Sequence, residues 1–202
     1  MKLYSNRFAA SPRRTRMYLA EKQLAFEIVE IDLAAGQNRT PEYLAKNPLG
    51  ELPTLELDDG RLLTESMAIC RHVESLYPEP PLYGRSPEER YEIERWAERL
   101  MFRLYVPLTA VFRNTHKYWA GRIEQVPAYG ELARRAVEQE LLALDAQLQR
   151  QEFVAGDRFS VADIVGFTSV DFGKPSGIRV TDATPALKRW YEAIGARPST
   201  RV

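Results

Sequence analysis

The proline-rich segment Pro78-Glu79-Pro80-Pro81 separates two parts of the chain that have different hydrophobic patterns. Before it, short apolar runs alternate with helical stretches; after it, only helical periodicity remains. Because consecutive prolines cannot continue a helix, residues 78–86 are predicted to be a linker. The sequence therefore predicts an α/β domain over residues 1–77 and an all-α domain over residues 87–202.

The first domain reads as strand, helix, strand, helix, hairpin, helix, which predicts a mixed four-stranded sheet covered by helices. The turn Asp58-Asp59-Gly60 is the strongest hairpin signal, since these residues tolerate the positive φ of a tight turn. Ser11, followed by Pro12, is expected to cap the first helix, and Ser66 the third.

The second domain shows apolar residues at helical spacing. Two stripes carry this pattern: Ile93, Trp96, Ala97, Leu100, Met101 and Leu104, and then Val137, Leu141, Leu144 and Leu148. Further helices are predicted over residues 160–172 and 185–194. Ser160 and Asp163 fit a capping box, a structural role whose loss in Asp163→Ala we expect to cost about 1 kcal/mol.

Composition excludes several classes of protein. The 202 residues include 28 Lys and Arg against 28 Asp and Glu, and this neutral balance argues against nucleic acid as a partner. No apolar run reaches the length of about 18 residues that suggests a membrane span. The single cysteine excludes an internal disulfide, which fits a cytoplasmic protein. His72 and His116 lie far apart, so no metal site is predicted.

Leu52-Pro53, at the start of the hairpin, is one candidate binding element. A proline at a strand start is compatible with a purely structural role. If the Leu52–Pro53 bond is cis, however, the main chain of Leu52 is left available to pair with an extended peptide.

Glu65-Ser66, at the start of the third helix, is a second candidate. One interpretation is a serine cap after a surface glutamate. The other is a site for a zwitterion, with a carboxylate at the helix N-terminus and an ammonium at Glu65.

Together these motifs resemble the cytosolic glutathione transferase family. The resemblance rests on Asn-Pro-x-Gly-x-x-Pro-x-Leu at residues 47–55, Glu65-Ser66, the segment at residues 159–164, Trp190-Tyr191 and Arg197-Pro198. It implies a thioredoxin-like first domain, a helical second domain, glutathione as co-substrate, a small hydrophobic electrophile as second substrate, and a homodimer active in detoxification. It also implies a cis Pro53, Leu52 paired with the cysteinyl main chain, and Glu65 and Ser66 at the γ-glutamyl end.

The position that would activate the thiol departs from the family pattern. In the theta-like classes a serine lies two residues before the helix-opening proline, where this chain has Ala10. In the omega-like classes a cysteine directly precedes that proline, where this chain has Ser11. Ser11 is therefore the candidate catalytic hydroxyl, with helix capping as the alternative role.

Three further features have a structural and a functional interpretation: the arginines of the first helix, the cysteine and an apolar segment of the second domain. Arg13, Arg14 and Arg16 are expected to form a solvated helix face, with support of an anion as the alternative. Cys70 is expected to be a buried apolar residue. Leu104-Tyr105 and Pro107-Leu108 are candidates for an apolar wall that accepts the second substrate. From the family resemblance, the chain is predicted to be a glutathione transferase or a related glutathione-dependent enzyme. The alternative is a non-catalytic regulatory protein of the same fold, of the stringent-starvation type.

Overall fold

The computed structural model describes residues 1–202, which divide into two compact units. The first unit comprises Met1–Leu82 together with Pro198–Val202, and the second comprises Tyr83–Arg197. The division falls within the predicted linker. The last five residues, which the sequence pattern assigned to the second domain, belong to the first unit.

The first unit contains a four-stranded mixed sheet of thioredoxin-like type, as predicted. Its strands are β1 (Lys2–Ser5), β2 (Glu27–Glu30), β3 (Thr54–Glu56) and β4 (Leu62–Thr64). The strand order is β2-β1-β3-β4, with β1 parallel to β2 and antiparallel to β3, and β3 antiparallel to β4. The predicted hairpin turn is confirmed, and Gly60 adopts φ +84° within it.

Three helices complete the first unit: α1 (Ala10–Glu21), α2 (Pro41–Leu44) and α3 (Ser66–Leu76). Thr40 caps α2, because its hydroxyl oxygen accepts a hydrogen bond from the Tyr43 N–H. The other two predicted caps are wrong, since α1 follows Ala9 and α3 follows Glu65, and neither cap residue forms a side-chain cap. Ser11 and Ser66 lie inside their helices.

The C-terminal residues Pro198–Val202 are joined to α1 by two side-chain hydrogen bonds. The Ser199 hydroxyl donates to a Glu21 carboxylate oxygen over 2.5 Å. Arg13 Nη2 donates to the Thr200 carbonyl over 3.5 Å. These contacts account for the assignment of the chain end to the first unit.

The second unit is all helical, as predicted. Its helices are α4 (Pro87–Leu100), α5 (Val106–Thr115), α6 (Pro127–Leu148), α7 (Val161–Phe172) and α8 (Pro185–Gly195). Helix α7 is the centre of this unit, since every residue from Val161 to Val170 is buried. The predicted capping box of Ser160 and Asp163 is confirmed at its start. None of the helices combines the length and apolar character needed to cross a membrane.

A π-helical turn, Met101–Tyr105, joins α4 to α5. Pro107 has no N–H to bond to the Arg103 carbonyl, and the Val106 N–H instead reaches the Met101 carbonyl. The turn places Leu104 in the core, whereas Met101 is only partly buried.

Candidate functional site

The candidate residues of the first unit meet at one edge of its sheet. Tyr4 pairs with Thr54, and Thr54 pairs with Thr64, so β1 ends, β3 begins and β4 ends at the same edge. Pro53 directly precedes β3 and Glu65 directly follows β4. Helix α1 begins five residues after β1 ends, so its N-terminus also belongs to this edge.

The loop that leads to Pro53 is fixed at Glu51. The Tyr43 hydroxyl donates to the Glu51 carbonyl over 2.7 Å, and Asn47 Nδ2 donates to the same oxygen over 2.9 Å. The Tyr43 hydroxyl also lies 3.0 Å from the Thr54 hydroxyl. Burial raises the pKa of the Tyr43 phenol, so it remains a protonated donor at neutral pH.

The same loop is fixed a second time at its tip. Asn38 Nδ2 donates to the Gly50 carbonyl over 2.7 Å, and Arg39 Nη1 donates to the Leu49 carbonyl over 2.9 Å. Gly50 has φ +62°, and a Cβ there would come within 2.7 Å of the Asn38 carbonyl oxygen. Glycine is therefore required at this position.

Leu52 is the residue that this loop leaves available. Its N–H and C=O form no hydrogen bond within the chain, although its neighbours Glu51 and Thr54 are both bonded. The Leu52–Pro53 peptide bond is cis, as expected from the family resemblance. The N–H and C=O of Leu52 are thus available to form strand-like hydrogen bonds with an extended peptide.

At the start of α3, Glu65 has an unusual backbone and Ser66 is buried. Glu65 has φ 65° and ψ 106°, a conformation rare for a residue with a side chain, and it is exposed. Ser66 is 7% exposed, and its Oγ accepts a hydrogen bond of 2.8 Å from Arg14 Nη1. A strained residue between a strand and a helix N-terminus is typical of a binding position.

The expectation that the α1 arginines form a solvated face is wrong for two of them. Arg14 is 0% exposed and Arg16 is 4% exposed. Arg16 Nη1 donates to the Ser5 hydroxyl over 2.7 Å, which ties α1 to the end of β1. Burial, together with repulsion from Arg13, lowers the pKa of Arg16. Neither contact is predicted by the sequence pattern, although Arg14 lies at helical spacing from the buried Met17 and Tyr18.

Ser11 lies in the first turn of α1 and is partly exposed. It follows Ala10, which is buried, at the positive end of the helix dipole. Ala9 is the N-cap residue of α1, so Ser11, the second residue of the helix, is not its N-cap.

Cys70 is fully buried on α3, and burial raises the pKa of its thiol to about 12. The expectation that it behaves as an apolar residue is confirmed. No group of three or more His, Cys, Asp or Glu side chains is arranged to hold a metal ion.

The prediction that Leu104-Tyr105 and Pro107-Leu108 form an apolar wall is wrong for the two leucines. Leu104 is 0% exposed and Leu108 is 1% exposed, because both face the core of the second unit. Val106 and Pro107 instead line a groove of about 370 Å³ whose other wall includes Tyr129 and Leu132 of α6.

Comparisons with known proteins agree with this architecture. The glutathione S-transferase N-terminal domain family matches residues 1–75, and the C-terminal domain family matches residues 108–198. Glutathione S-transferase 2 of Saccharomyces cerevisiae is 32% identical over an alignment of 205 positions, which covers all of this chain and 88% of that protein. Maleylacetoacetate isomerase of Pseudomonas aeruginosa is 32% identical over an alignment of 204 positions, which covers all of this chain and 94% of the isomerase.

Solved structures give the same result. The crystal structure of Gtt2 from Saccharomyces cerevisiae superposes with a TM-score of 0.92 at 32% identity, and the match covers 100% of this chain and 99% of that one. A glutathione S-transferase-I bound with lactoylglutathione superposes with a TM-score of 0.82 at 26% identity, covering 99% of this chain and 96% of that one. The chain belongs to the glutathione S-transferase family. The family uses glutathione as co-substrate, which places this chain among the glutathione-dependent transferases and isomerases.

Proposed function

We propose that the chain is a glutathione transferase in which the thiolate of bound glutathione attacks a small electrophilic or hydrophobic substrate. The observation that carries this proposal is the unpaired main chain of Leu52 at the same sheet edge as Glu65 and Ser66. Glutathione is an extended peptide with a zwitterionic γ-glutamyl end, so its two features match these two elements.

In this proposal the cysteinyl main chain of glutathione pairs with Leu52, and Pro53 directs the chain into β3. The ammonium of the γ-glutamyl end binds the exposed Glu65 carboxylate. Its α-carboxylate binds the Ser66 hydroxyl and the unpaired N–H groups at the start of α3. The hydrogen bonds from Asn38 to the Gly50 carbonyl and from Tyr43 to the Glu51 carbonyl hold the 47–51 loop, and with it Leu52, in place before glutathione binds.

Ser11 is the proposed catalytic residue. Its hydroxyl donates a hydrogen bond to the glutathione thiolate, which lowers the thiol pKa and increases the thiolate fraction at neutral pH. The thiolate sulfur then bonds to the electrophilic carbon of the substrate, and the leaving group or the polarised bond takes the electron pair. The position of Ser11 at the positive end of α1 supports this role.

We also propose that the protein is a homodimer. The support is the exposed apolar groove between α5 and α6, whose lining residues Val106, Tyr129 and Leu132 are 48%, 54% and 56% exposed. Large apolar patches on a soluble protein typically mark an interface. Sedimentation of Leu132→Lys tests this: a wild-type dimer that becomes a monomer supports the proposal, and a monomeric wild type overturns it.

Two measurements on one preparation test the proposed function. Titration calorimetry should show saturable binding of glutathione and much weaker binding of cysteinylglycine, which lacks the γ-glutamyl end. A conjugation assay with a chlorodinitrobenzene should show turnover that depends on glutathione. No glutathione binding would overturn the proposal. Binding without conjugation or isomerisation of any substrate would favour the non-catalytic alternative.

A further inference from the structure

Arg14 lies behind the proposed γ-glutamyl site without belonging to its surface. Its side chain is 0% exposed, and Nη1 donates to Ser66 Oγ over 2.8 Å. Ser66 is the first residue of α3 and is 7% exposed. The contact joins the buried face of α1 to the N-terminus of α3.

This contact fixes which way the Ser66 hydroxyl acts. A guanidinium has donors and no acceptor, so Ser66 Oγ must be the acceptor in the bond to Arg14. The hydroxyl proton is then directed away from Arg14 and is available to a second partner. A carboxylate accepts hydrogen bonds and donates none, so it is the natural partner for this proton.

The charge of Arg14 acts in the same direction. A guanidinium stays protonated, and a cation removed from water exerts a stronger field than an exposed one. That field adds to the positive end of the α3 dipole at Ser66. The exposed carboxylate of Glu65, one residue earlier, has the opposite sign.

We infer that Arg14 is a positioning residue that sets the polarity of the γ-glutamyl site, with the ligand carboxylate at Ser66 and its ammonium at Glu65. The inference rests on the proposed glutathione site. Arg14 acts through Ser66 and through its field, and it does not touch the ligand.

The test compares glutathione with two analogues. One lacks the α-carboxylate (4-aminobutanoyl-cysteinylglycine), and the other lacks the α-amino group (glutaryl-cysteinylglycine). In Arg14→Gln, which removes the charge, the dissociation constants of glutathione and of the glutaryl analogue should rise by on the order of tenfold to a hundredfold. That of the aminobutanoyl analogue should change less than about threefold, because it has no carboxylate to lose.

Arg14→Lys keeps the charge and should retain most of this preference for a carboxylate. It also serves as the second variant if Arg14→Gln does not fold. A folded Arg14→Lys protein that no longer distinguishes glutathione from the aminobutanoyl analogue would overturn the role of the charge. Arg16→Gln is the matched control, because it removes a buried α1 guanidinium that contacts Ser5 and not Ser66. The ratio of the affinities for glutathione and its aminobutanoyl analogue should not change in this control.

The outcomes separate the inference from the proposed function. A wild-type protein that does not bind glutathione overturns the proposed function. A wild type that binds glutathione, with Arg14 variants that weaken all three ligands equally, overturns the polarity role and leaves Arg14 purely structural. Additive effects of Arg14→Gln and Ser66→Ala on the affinity for glutathione would show that Arg14 does not act through Ser66.

Discussion

The indole Nε1 of Trp190 donates a hydrogen bond of 2.8 Å to Oδ1 of Asp163, which joins α8 to the start of α7. Asp163 is fully buried and accepts further bonds from the Val154 N–H over 2.9 Å and from the Ser160 N–H over 2.9 Å. The residue therefore holds together three separate segments of the second unit. The sequence predicted only the local capping box.

The first prediction concerns the stability of this network. Asp163→Ala should lower the free energy of unfolding by about 3 kcal/mol, more than the loss of a cap alone, because buried donors from three segments lose their acceptor. Urea unfolding measures the change. Asp157→Ala, on an exposed residue nearby, is the control and should change it by less than about 0.5 kcal/mol. An equally small effect of Asp163→Ala would contradict the role assigned to the network.

The second prediction concerns pH. Burial raises the pKa of the Asp163 carboxyl to about 6, whereas an aspartate in an unfolded chain titrates at about 3.9. Between these values the folded protein binds more protons than the unfolded chain, so this group adds stability as the pH falls from about 6 to about 4. A shift of about two pKa units corresponds to roughly 3 kcal/mol.

Asp163→Asn removes this titration. The free energy of unfolding of the wild type, relative to Asp163→Asn, should therefore increase on acidification across that range. Denaturant unfolding of both proteins at several pH values measures it. A difference that stays constant with pH would show that Asp163 is ionised throughout.

The third prediction concerns Glu65. Glu65→Ala should weaken glutathione binding by about 1.5 to 3 kcal/mol, because a charge-assisted hydrogen bond to the ammonium is lost. Calorimetry with glutathione measures the change, and Glu42→Ala, also exposed in the first unit, is the control. Unchanged affinity in Glu65→Ala would remove Glu65 from the site.

The fourth prediction concerns Ser11. Ser11→Ala should raise the pKa of the bound glutathione thiol and slow conjugation, since the hydroxyl no longer stabilises the thiolate. Thiolate absorbance in the ultraviolet follows the titration directly. Ser75→Ala removes a hydroxyl from the exposed face of α3 and should leave the midpoint unchanged. An unshifted midpoint in Ser11→Ala with normal turnover would assign the donor to a main-chain N–H at the start of α1.

The sequence predicts an element such as the β3–β4 hairpin, whose conformation depends on a few neighbouring residues. The Asp58-Asp59-Gly60 turn fixes the hairpin because its backbone needs are met by those residues alone. The start of α1 was misplaced, since Ser11 and Pro12 look like a cap and first turn while the helix begins at Ala10. Nothing in the local pattern distinguishes these registers.

Contacts between distant residues could not be predicted from local pattern. Arg14 and Ser66 are 52 positions apart, and a charged residue near a helix start is usually solvated. The bonds from Asn38 and Arg39 to the 49–50 main chain likewise depend on how α2 folds back toward the loop. Such contacts depend on the sheet register, which brings these elements to one edge.

The fifth prediction concerns the loop that presents Leu52. Tyr43→Phe removes the 2.7 Å bond to the Glu51 carbonyl and leaves the buried ring in place. The loop then has one donor fewer at the residue preceding Leu52, so the main chain of Leu52 is less well ordered before glutathione binds. Glutathione binding must then order the main chain of Leu52, and the lost conformational entropy reduces the affinity. We therefore expect KM for glutathione to rise about three- to tenfold with little change in kcat.

Tyr4→Phe is the matched control for Tyr43→Phe. The Tyr4 ring packs edge-on against Tyr43 at 6.0 Å, but its hydroxyl donates to Glu56 over 2.7 Å and not to the loop. Both variants lose one phenolic hydroxyl from the same aromatic pair. Tyr43→Phe loses the contacts to the Glu51 carbonyl and the Thr54 hydroxyl on either side of Leu52-Pro53, whereas Tyr4→Phe loses only the bond to Glu56. A larger KM for glutathione in Tyr43→Phe alone would show that the loop is held ready by Tyr43. Equal KM values in the two variants would mean that Asn47 is sufficient to hold the Glu51 carbonyl, and that the order of Leu52 does not depend on Tyr43.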